Sequence, residues 1–528
     1  MKWSYAFAVL CLVSCLGPFT AAQVAVTTYQ NDNYRSGTNT HETSLTLSNV
    51  NASQFGRKAV FNVTGYVYAQ PLYVPNLNIN GVLHNVVYIA TEHDQVYAFD
   101  VNSGQQLWNK NLLIGAGALT QVSPVSSSDV NCGDLIPEIG ITGTPVIDIP
   151  NHEMFLVAKT KEYDVITQTT TFFQTIYALD IRTGQLRTPP RRVAGRVPGT
   201  GQGSQNGYLT FDPLIEGQRA SMMLVNGQVF GAWSSHCDNG NFHGWLIAYD
   251  ELALLPSGMF VDTPNGYEGG FWSSGSGPAA DSSGSIYVAT GNGAFDSSSD
   301  YGDSILRLSS SGSGITLADY FTPWDQATLD QGDTDVGSGG VTLLPDQPGS
   351  PYPHLLIQVG KEGTIDLVNR DDMGHYNPAG DNQIVQTLPF VIGGIWGAPA
   401  FWNNIAYFGG QNDALKAFAF NPQTQLLSTA PTSQSPESFS FPGPTPSVSS
   451  NGTANGIVWI AETDNYPAGV AVLRAYNAND ISVELYNSQQ NPSRDGAGPP
   501  VKFTVPTVAD GHVFVAGQNQ VSMYGLLN

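Results

Sequence analysis

An all-β fold is predicted by three features of the 528-residue chain. One strand–turn–strand unit recurs along its length. No stretch beyond the first 22 residues carries a 3.6-residue apolar period. Runs of four to six β-branched and aromatic residues are bounded by Gly, Asn, Asp and Pro, the signal for antiparallel strands.

The unit is clearest at Val86-Val-Tyr-Ile-Ala followed by Val96-Tyr-Ala-Phe-Asp, Gly104 and Trp108. Its order returns at Met154 to Ala158 with Ile176 to Asp180 and Gly184, and at Gln228 to Trp233 with Leu246 to Asp250. Further copies fall at Ile286 to Ala289 with Ile305 to Leu308, and at Leu355 to Val359 with Ile365 to Val368. Weaker ones follow at Ile405 to Phe408 with Leu415 to Phe420, at Ile457 to Ile460 with Val472 to Tyr476, and at Val513 to Val515 with Val521 to Tyr524. Most are preceded by a short small-Pro-Val-like strand, as in Gly143-Thr-Pro-Val-Ile-Asp. Eight four-stranded units of this kind close into a ring, which removes exposed sheet edges. The expectation is therefore a single eight-bladed β-propeller domain over residues 23–528. The last copy stops near Tyr524, and Lys58 to Val63 is expected to supply its missing outer strand. Residues 421–455, rich in Pro, Ser, Thr and Gln, read as a long surface loop.

The N-terminus, MKWSYAFAVLCLVSCLGPFTAAQ, has a basic residue, an apolar run and small residues where a signal peptidase cuts. Residues 1–22 read as a secretory signal peptide; the run is shorter than the roughly 20 apolar residues that span a bilayer. Removal of that segment leaves Cys132 and Cys237, expected to form one disulfide in an oxidising compartment. Sequons at Asn51, Asn62 and Asn451 are compatible with glycosylation. A net charge of −23 disfavours nucleic acid and anionic membranes as partners. Neither a Cys-x-x-Cys-His haem site nor a Cys/His zinc spacing occurs in the sequence. A secreted monomer is expected.

The segment from Val96 to Trp108 resembles the repeat of the pyrroloquinoline-quinone (PQQ) β-propellers, the quinoprotein alcohol dehydrogenase-like superfamily. That resemblance implies an oxidoreductase with PQQ and calcium, acting on a small-molecule alcohol, sugar or metabolite and passing electrons to a separate acceptor. Val288-Ala-Thr-Gly-Asn292 is similar to the family stretch whose amide oxygen ligates calcium, and Gly269-Gly-Phe-Trp272 to the one whose Trp lies under the quinone. Lys361 to Arg370 looks like the stretch carrying the basic contact, which makes Lys361 that candidate. The family's calcium-ligating Glu has no counterpart between His236 and Trp245, where Asp238 or Asn239 is the substitute. The catalytic acid maps to Asp303 or Asp300, neither at the family's offset, and the family's adjacent-cysteine disulfide is missing. Metal candidates are thus Asn292 and Asp238, cofactor contacts Trp272, Asn292 and Lys361, and the general base Asp303 or Asp300.

Each has a plain alternative: Trp272 filling space between sheets, Asn292 closing a turn, the two Asp residues solvated, Lys361 capping an edge. Thr91-Glu-His-Asp94 and Ser234-Ser-His-Cys-Asp238 also put His beside carboxylates at strand ends, His236 being read as part of a stapled loop. No Gly-x-Ser-x-Gly elbow supports a Ser-His-Asp hydrolase. The second function class is a non-catalytic secreted propeller binding a polysaccharide, peptide or protein partner.

Overall fold

Gln95–Asp100 pairs antiparallel with Val82–Thr91, from Val86 opposite Asp100 to Thr91 opposite Gln95. Asp100 ends the strand because its carboxylate caps the turn: Ser103 N–H donates to Oδ1 at 2.7 Å, and Gly104, at φ 72°, donates to the Asp100 carbonyl. The chain then returns as Gln106–Asn111, and Trp108 Nε1 donates to the Ile181 carbonyl of the next unit. A Cβ on Gly184 would lie 2.6 Å from the Trp108 ring, so the glycine of one unit makes room for the tryptophan of the one before. The repeat read in the sequence is thus a turn cap plus an intersheet contact. In the third unit Asp250 caps the same turn, with Leu254 at φ 51° where the first two have glycine.

The computed structural model describes residues 23–527 apart from 115, 116, 118 and 313; the expected signal peptide lies outside the described residues. Among the described residues there are eight sheets of three to six strands and one two-stranded ribbon. In chain order the sheets run from Leu72 to Asn111, Thr120 to Arg192, Met223 to Val261, Ala279 to Thr322, Thr342 to Leu388, Ala400 to Phe439, Ser447 to Asn487, and Thr507 to Leu526. The eighth takes Phe55–Tyr66 from the N-terminal part of the chain, paired antiparallel with His512–Leu526. Among the described residues helix is confined to Gln326–Gln331, Pro492–Asp495 and three 3-10 turns, in keeping with the missing 3.6 period. No described helix is long and apolar enough to cross a membrane.

Buried apolar clusters join the sheets pairwise. Phe155, Trp233 and Trp245 join the second to the third, and Phe230 and Ile286 the third to the fourth. The same holds onward to Trp459 and Tyr524, which join the seventh to the eighth. Phe514, Tyr88 and Leu156 then share one cluster across the eighth, first and second. Each full Trp or Phe truncation in such a cluster costs on the order of 3–5 kcal/mol.

Residues 421–455 are not a loop. Ser433–Phe439 pairs with Asp413–Asn421 as the outer strand of the sixth sheet, and Ser447–Asn451 opens the seventh. The polar composition misled because one face of an outer strand is solvated: Ser435 and Phe439 are buried while Gln434, Pro436 and Ser438 are exposed.

A segment with no predicted role ties the sheets together. Between Val26 and Asn39 the chain passes each of the eight in order. Val26 pairs with Tyr73 of the first, and Thr27 accepts from Ile147 of the second. Asn33 donates to Leu224 of the third and accepts from Ala280 of the fourth. Tyr34, Ser36 and Gly37 accept from Leu343, Phe401 and Val448 of the fifth, sixth and seventh. Asn39 Nδ2 donates to Val508 of the eighth. We call this segment the strap.

Candidate cofactor cleft

The fourth sheet's second strand, Ile286–Ala289, is buried throughout and ends at Thr290, whose hydroxyl donates to the Tyr301 and Ser304 carbonyls and turns the chain. Gly291 follows because nothing larger fits: its Cβ would lie 2.3 Å from Asp335 Oδ1 and 2.6 Å from Trp272 Nε1. Asn292 is then fixed from two sides. Its N–H donates to Asp335 Oδ1 at 2.9 Å, and Nδ2 donates to Glu268 Oε2 at 3.1 Å. Its Oδ1 is buried without a partner, an uncommon state for a native acceptor.

Asp335 precedes the short 3-10 turn Val336–Ser338 and joins Asn292 to Lys361, whose ammonium lies 2.5 Å from Asp335 Oδ2 and 2.6 Å from Asp333 Oδ1. Burial opposes the charge on Lys361, but these two carboxylates outweigh it and hold the ammonium above its ordinary pKa. Asp303 lies beneath this pair. Its N–H donates to Gly291, its Oδ1 accepts from Val336, and its buried Oδ2 has no partner. Burial first and the Asp335 charge second push its carboxyl well above the usual range.

Trp272 forms one wall of a cleft of about 70 Å³, well below the roughly 300–1,000 Å³ usual for small-molecule sites. Asp335, Lys361, Arg219, Asp238, Cys237 and Trp396 line the rest, together with Asp134, Ser274 and Ser338. The indole is buried edge-on to Phe242, and Nε1 donates to Gly269. Ser273 and Ser274 follow at φ 46° and 40°, two consecutive non-glycine residues in the left-handed region, a strain that costs about 1–3 kcal/mol each and gathers at functional sites. Asp238 stands exposed on the rim, also left-handed at φ 53°. Loss of solvent within the cleft and the Asp335 and Asp333 charges push its carboxyl up to about 7, an effect that solvent at the rim screens.

Cys132 and Cys237 form the expected disulfide, which lies at the cleft wall. With Asp134 they make up the only group of three metal-binding residue types within 4.8 Å of one another among the described residues, and the disulfide removes both thiolates from it. The other candidates thus form no preformed cage of three acids. The donor types nevertheless fit a hard cation: two buried oxygens, Asn292 Oδ1 and Asp303 Oδ2, lack partners, with the Asp335 carboxylate bonded to both neighbouring segments. Such an ion takes about six to eight oxygens, so water and ligand oxygens would complete the set.

The structure therefore brings Trp272, Asn292, Lys361 and Asp303 to one place, with Asp238 at its rim, and leaves Asp300 out. Asp300 Oδ1 accepts from Asn265 N–H at 2.9 Å, and the residue closes a loop that Asp296 caps. His236 is buried against Lys159, with Nε2 2.7 Å from Nζ, so it is part of a packed loop and not a ligand of the cleft. His93 Nδ1 bonds Glu138. Three residues at the cleft were not read from the sequence. Asp335 lies 43 positions after the Asn292 it bonds, with no local motif to mark it. Arg219 and Lys502 flank Asp134 at 3.5 and 3.3 Å and lie over the Phe503 ring.

No protein-family model and no curated protein matches the chain. Solved structures do. The quinohemoprotein alcohol dehydrogenase of Comamonas testosteroni aligns over 96% of this chain and 81% of its own at 13% identity, with a TM-score of 0.60. A europium-containing methanol dehydrogenase aligns over 95% and 98% at 12% identity, TM-score 0.59. A quinohemoprotein alcohol dehydrogenase of Pseudomonas putida HK5 aligns over 95% and 80% at 12% identity, TM-score 0.57. At these identities the likeness is one of fold alone, a β-propeller like those of the aligned dehydrogenases.

Proposed function

We propose that this chain is a secreted quinoprotein-like oxidoreductase, a single eight-bladed propeller over residues 23–528 whose ring closes where Phe55–Tyr66 meets His512–Leu526. The successive apolar clusters and the strap's passage along all eight sheets support that geometry. The functional reading rests on one observation above the others: Asn292 Oδ1 is an unfilled, buried acceptor beside the Asp335–Lys361 pair and the Trp272 wall.

PQQ with a calcium-type ion is the proposed cofactor, and it would accept the electrons of an alcohol, a sugar or another small metabolite. The chain's own groups do the rest. Trp272 offers a flat apolar wall. Asn292 Oδ1 offers an oxygen to the cation, with Asp238 at the rim as the second candidate ligand. Lys361 places a positive charge in the cleft, and Asp335 fixes both it and Asn292. Asp303, rather than Asp300, holds the substrate-derived proton at Oδ2. Electrons leave to a separate acceptor, since the sequence has no haem attachment motif. The protein is proposed to act as a monomer, without nucleic-acid or membrane partners.

A thermal melt with calcium alone and then with calcium plus PQQ tests the reading, because a ligand of the folded state raises its melting temperature. A shift that needs the quinone, and that Asn292→Ala abolishes, is the expected result. No shift with either addition favours the non-catalytic binding propeller, in which Asp333 and Asp335 simply neutralise Lys361.

A further inference from the structure

We infer that the cavity between the fourth and fifth sheets is a binding site for a small organic cation with an apolar body, of the arylalkylamine class. It has a volume of about 240 Å³ and meets the cofactor cleft only at Asp335, which lines both. Five carboxylates line it, Asp325, Asp335, Glu362, Asp366 and Asp381, and no Lys, Arg or His does. Asp335 is already paired with Lys361, but no basic side chain lining the cavity stands against the other four, and such an arrangement is costly unless a ligand brings the charge.

Two buried acceptors lining the cavity are unfilled. Asp366, in the strand Ile365–Asn369, is 6% exposed and its Oδ1 has no hydrogen-bond partner; Gln358, 1% exposed, leaves Oε1 equally unpartnered. Burial first, and then the Asp381, Glu362 and Asp325 charges, push the Asp366 carboxyl up to about 8. An ammonium beside it would offset that cost. Leu329, Val336, Pro323 and Pro389 give apolar wall among threonines, and Trp324 and Phe390, 51% and 71% exposed, are aromatic faces available to a cation. A metal ion fits less well. Among the described residues no three carboxylates of this cavity come within 4.8 Å of one another, whereas an extended cation can bond them singly. Because the site is separate from the cleft, the inference holds whether or not the cleft takes a quinone.

The test is isothermal titration of the full chain with benzylamine, with benzyl alcohol as its uncharged counterpart and with calcium chloride. Benzylamine is expected to bind saturably and at least tenfold tighter than benzyl alcohol. Asp366→Asn, near-isosteric, is expected to weaken it at least tenfold, and Trp324→Ala, at an exposed position that folding does not need, about threefold or more. Equal binding of the alcohol would make the cavity merely apolar. Displacement of benzylamine by calcium at the Asp366-dependent site would make it a metal site. Either of these, or the absence of saturable heat, overturns the inference.

Discussion

Arg35 in the strap and Lys361 in the cleft are basic side chains withdrawn from solvent and held in opposite ways. Arg35 is fully buried, and its guanidinium donates only to neutral oxygens: the Pro278, Tyr29 and Met222 carbonyls and the Thr28 hydroxyl. Burial lowers its pKa to about 10, still charged at neutral pH. Lys361 is bonded by two carboxylates, beside acceptors that nothing in the protein fills. The strap spends a charge on directional bonds among separate sheets, which fixes geometry. The cleft concentrates charge and leaves valences open, which suits a ligand.

That contrast can be broken by substitution. Arg35→Ala strips donors from three buried carbonyls and should cost about 3 kcal/mol in urea unfolding, while leaving any calcium-plus-PQQ melting shift intact; a loss below 1 kcal/mol would mean the strap does not bind the sheets together. Gly291→Ala, which forces a methyl into Asp335 and Trp272, should cost about 2 kcal/mol and abolish the shift as well.

A pH series sharpens the same difference. Glu92 follows the first sheet's second strand, fully buried; Gly140 N–H and the Thr142 hydroxyl donate to its Oε2, and its Oε1 is unfilled. Burial pushes its carboxyl up to about 8 against an ordinary value of 4.5. The folded state therefore binds the proton more tightly than the unfolded one. Stability from this group is fully present below pH 4.5 and is lost as pH rises to 8. Glu92→Gln should flatten the fall between pH 5 and 8 by on the order of 1–2 kcal/mol, seen in melts across that range; an unchanged slope would show the carboxylate charging freely. The smallest effect on stability is expected for Asn292→Ala, under about 1 kcal/mol, although the cofactor-dependent shift should vanish. A large loss of stability would assign Asn292 to architecture.

Much of this fold is local and could be read. The Asp100 and Asp180 turn caps, their following glycines and Trp108 are contacts within one unit or between neighbours, so they leave a repeated trace in sequence. Trp272, Asn292 and Lys361 could be singled out for the same reason, each lying in a short motif, and folding sets all three around Asp335. Asp335 was not, since its partners Asn292 and Lys361 come from other strands and only folding makes them neighbours. Asp300 was misassigned because chain proximity to Asn292 counts for little once the loop capped by Asp296 carries it away. The strap was silent: Val26 to Asn39 has no strand pattern of its own and borrows its hydrogen bonds from each sheet in turn.

The strap also sets an order in time. Val24 bonds Asp510, 486 positions away, and Asn39 bonds Val508, 469 away. These two contacts wait for the eighth sheet, whereas Val26 and Thr27 can bond Tyr73 and Ile147 as soon as the first two sheets exist. Closing the longest of these loops comes late, because its entropy must be met before any contact rewards it. The strap can thus dock sheet by sheet, and its last contacts report the arrival of the eighth.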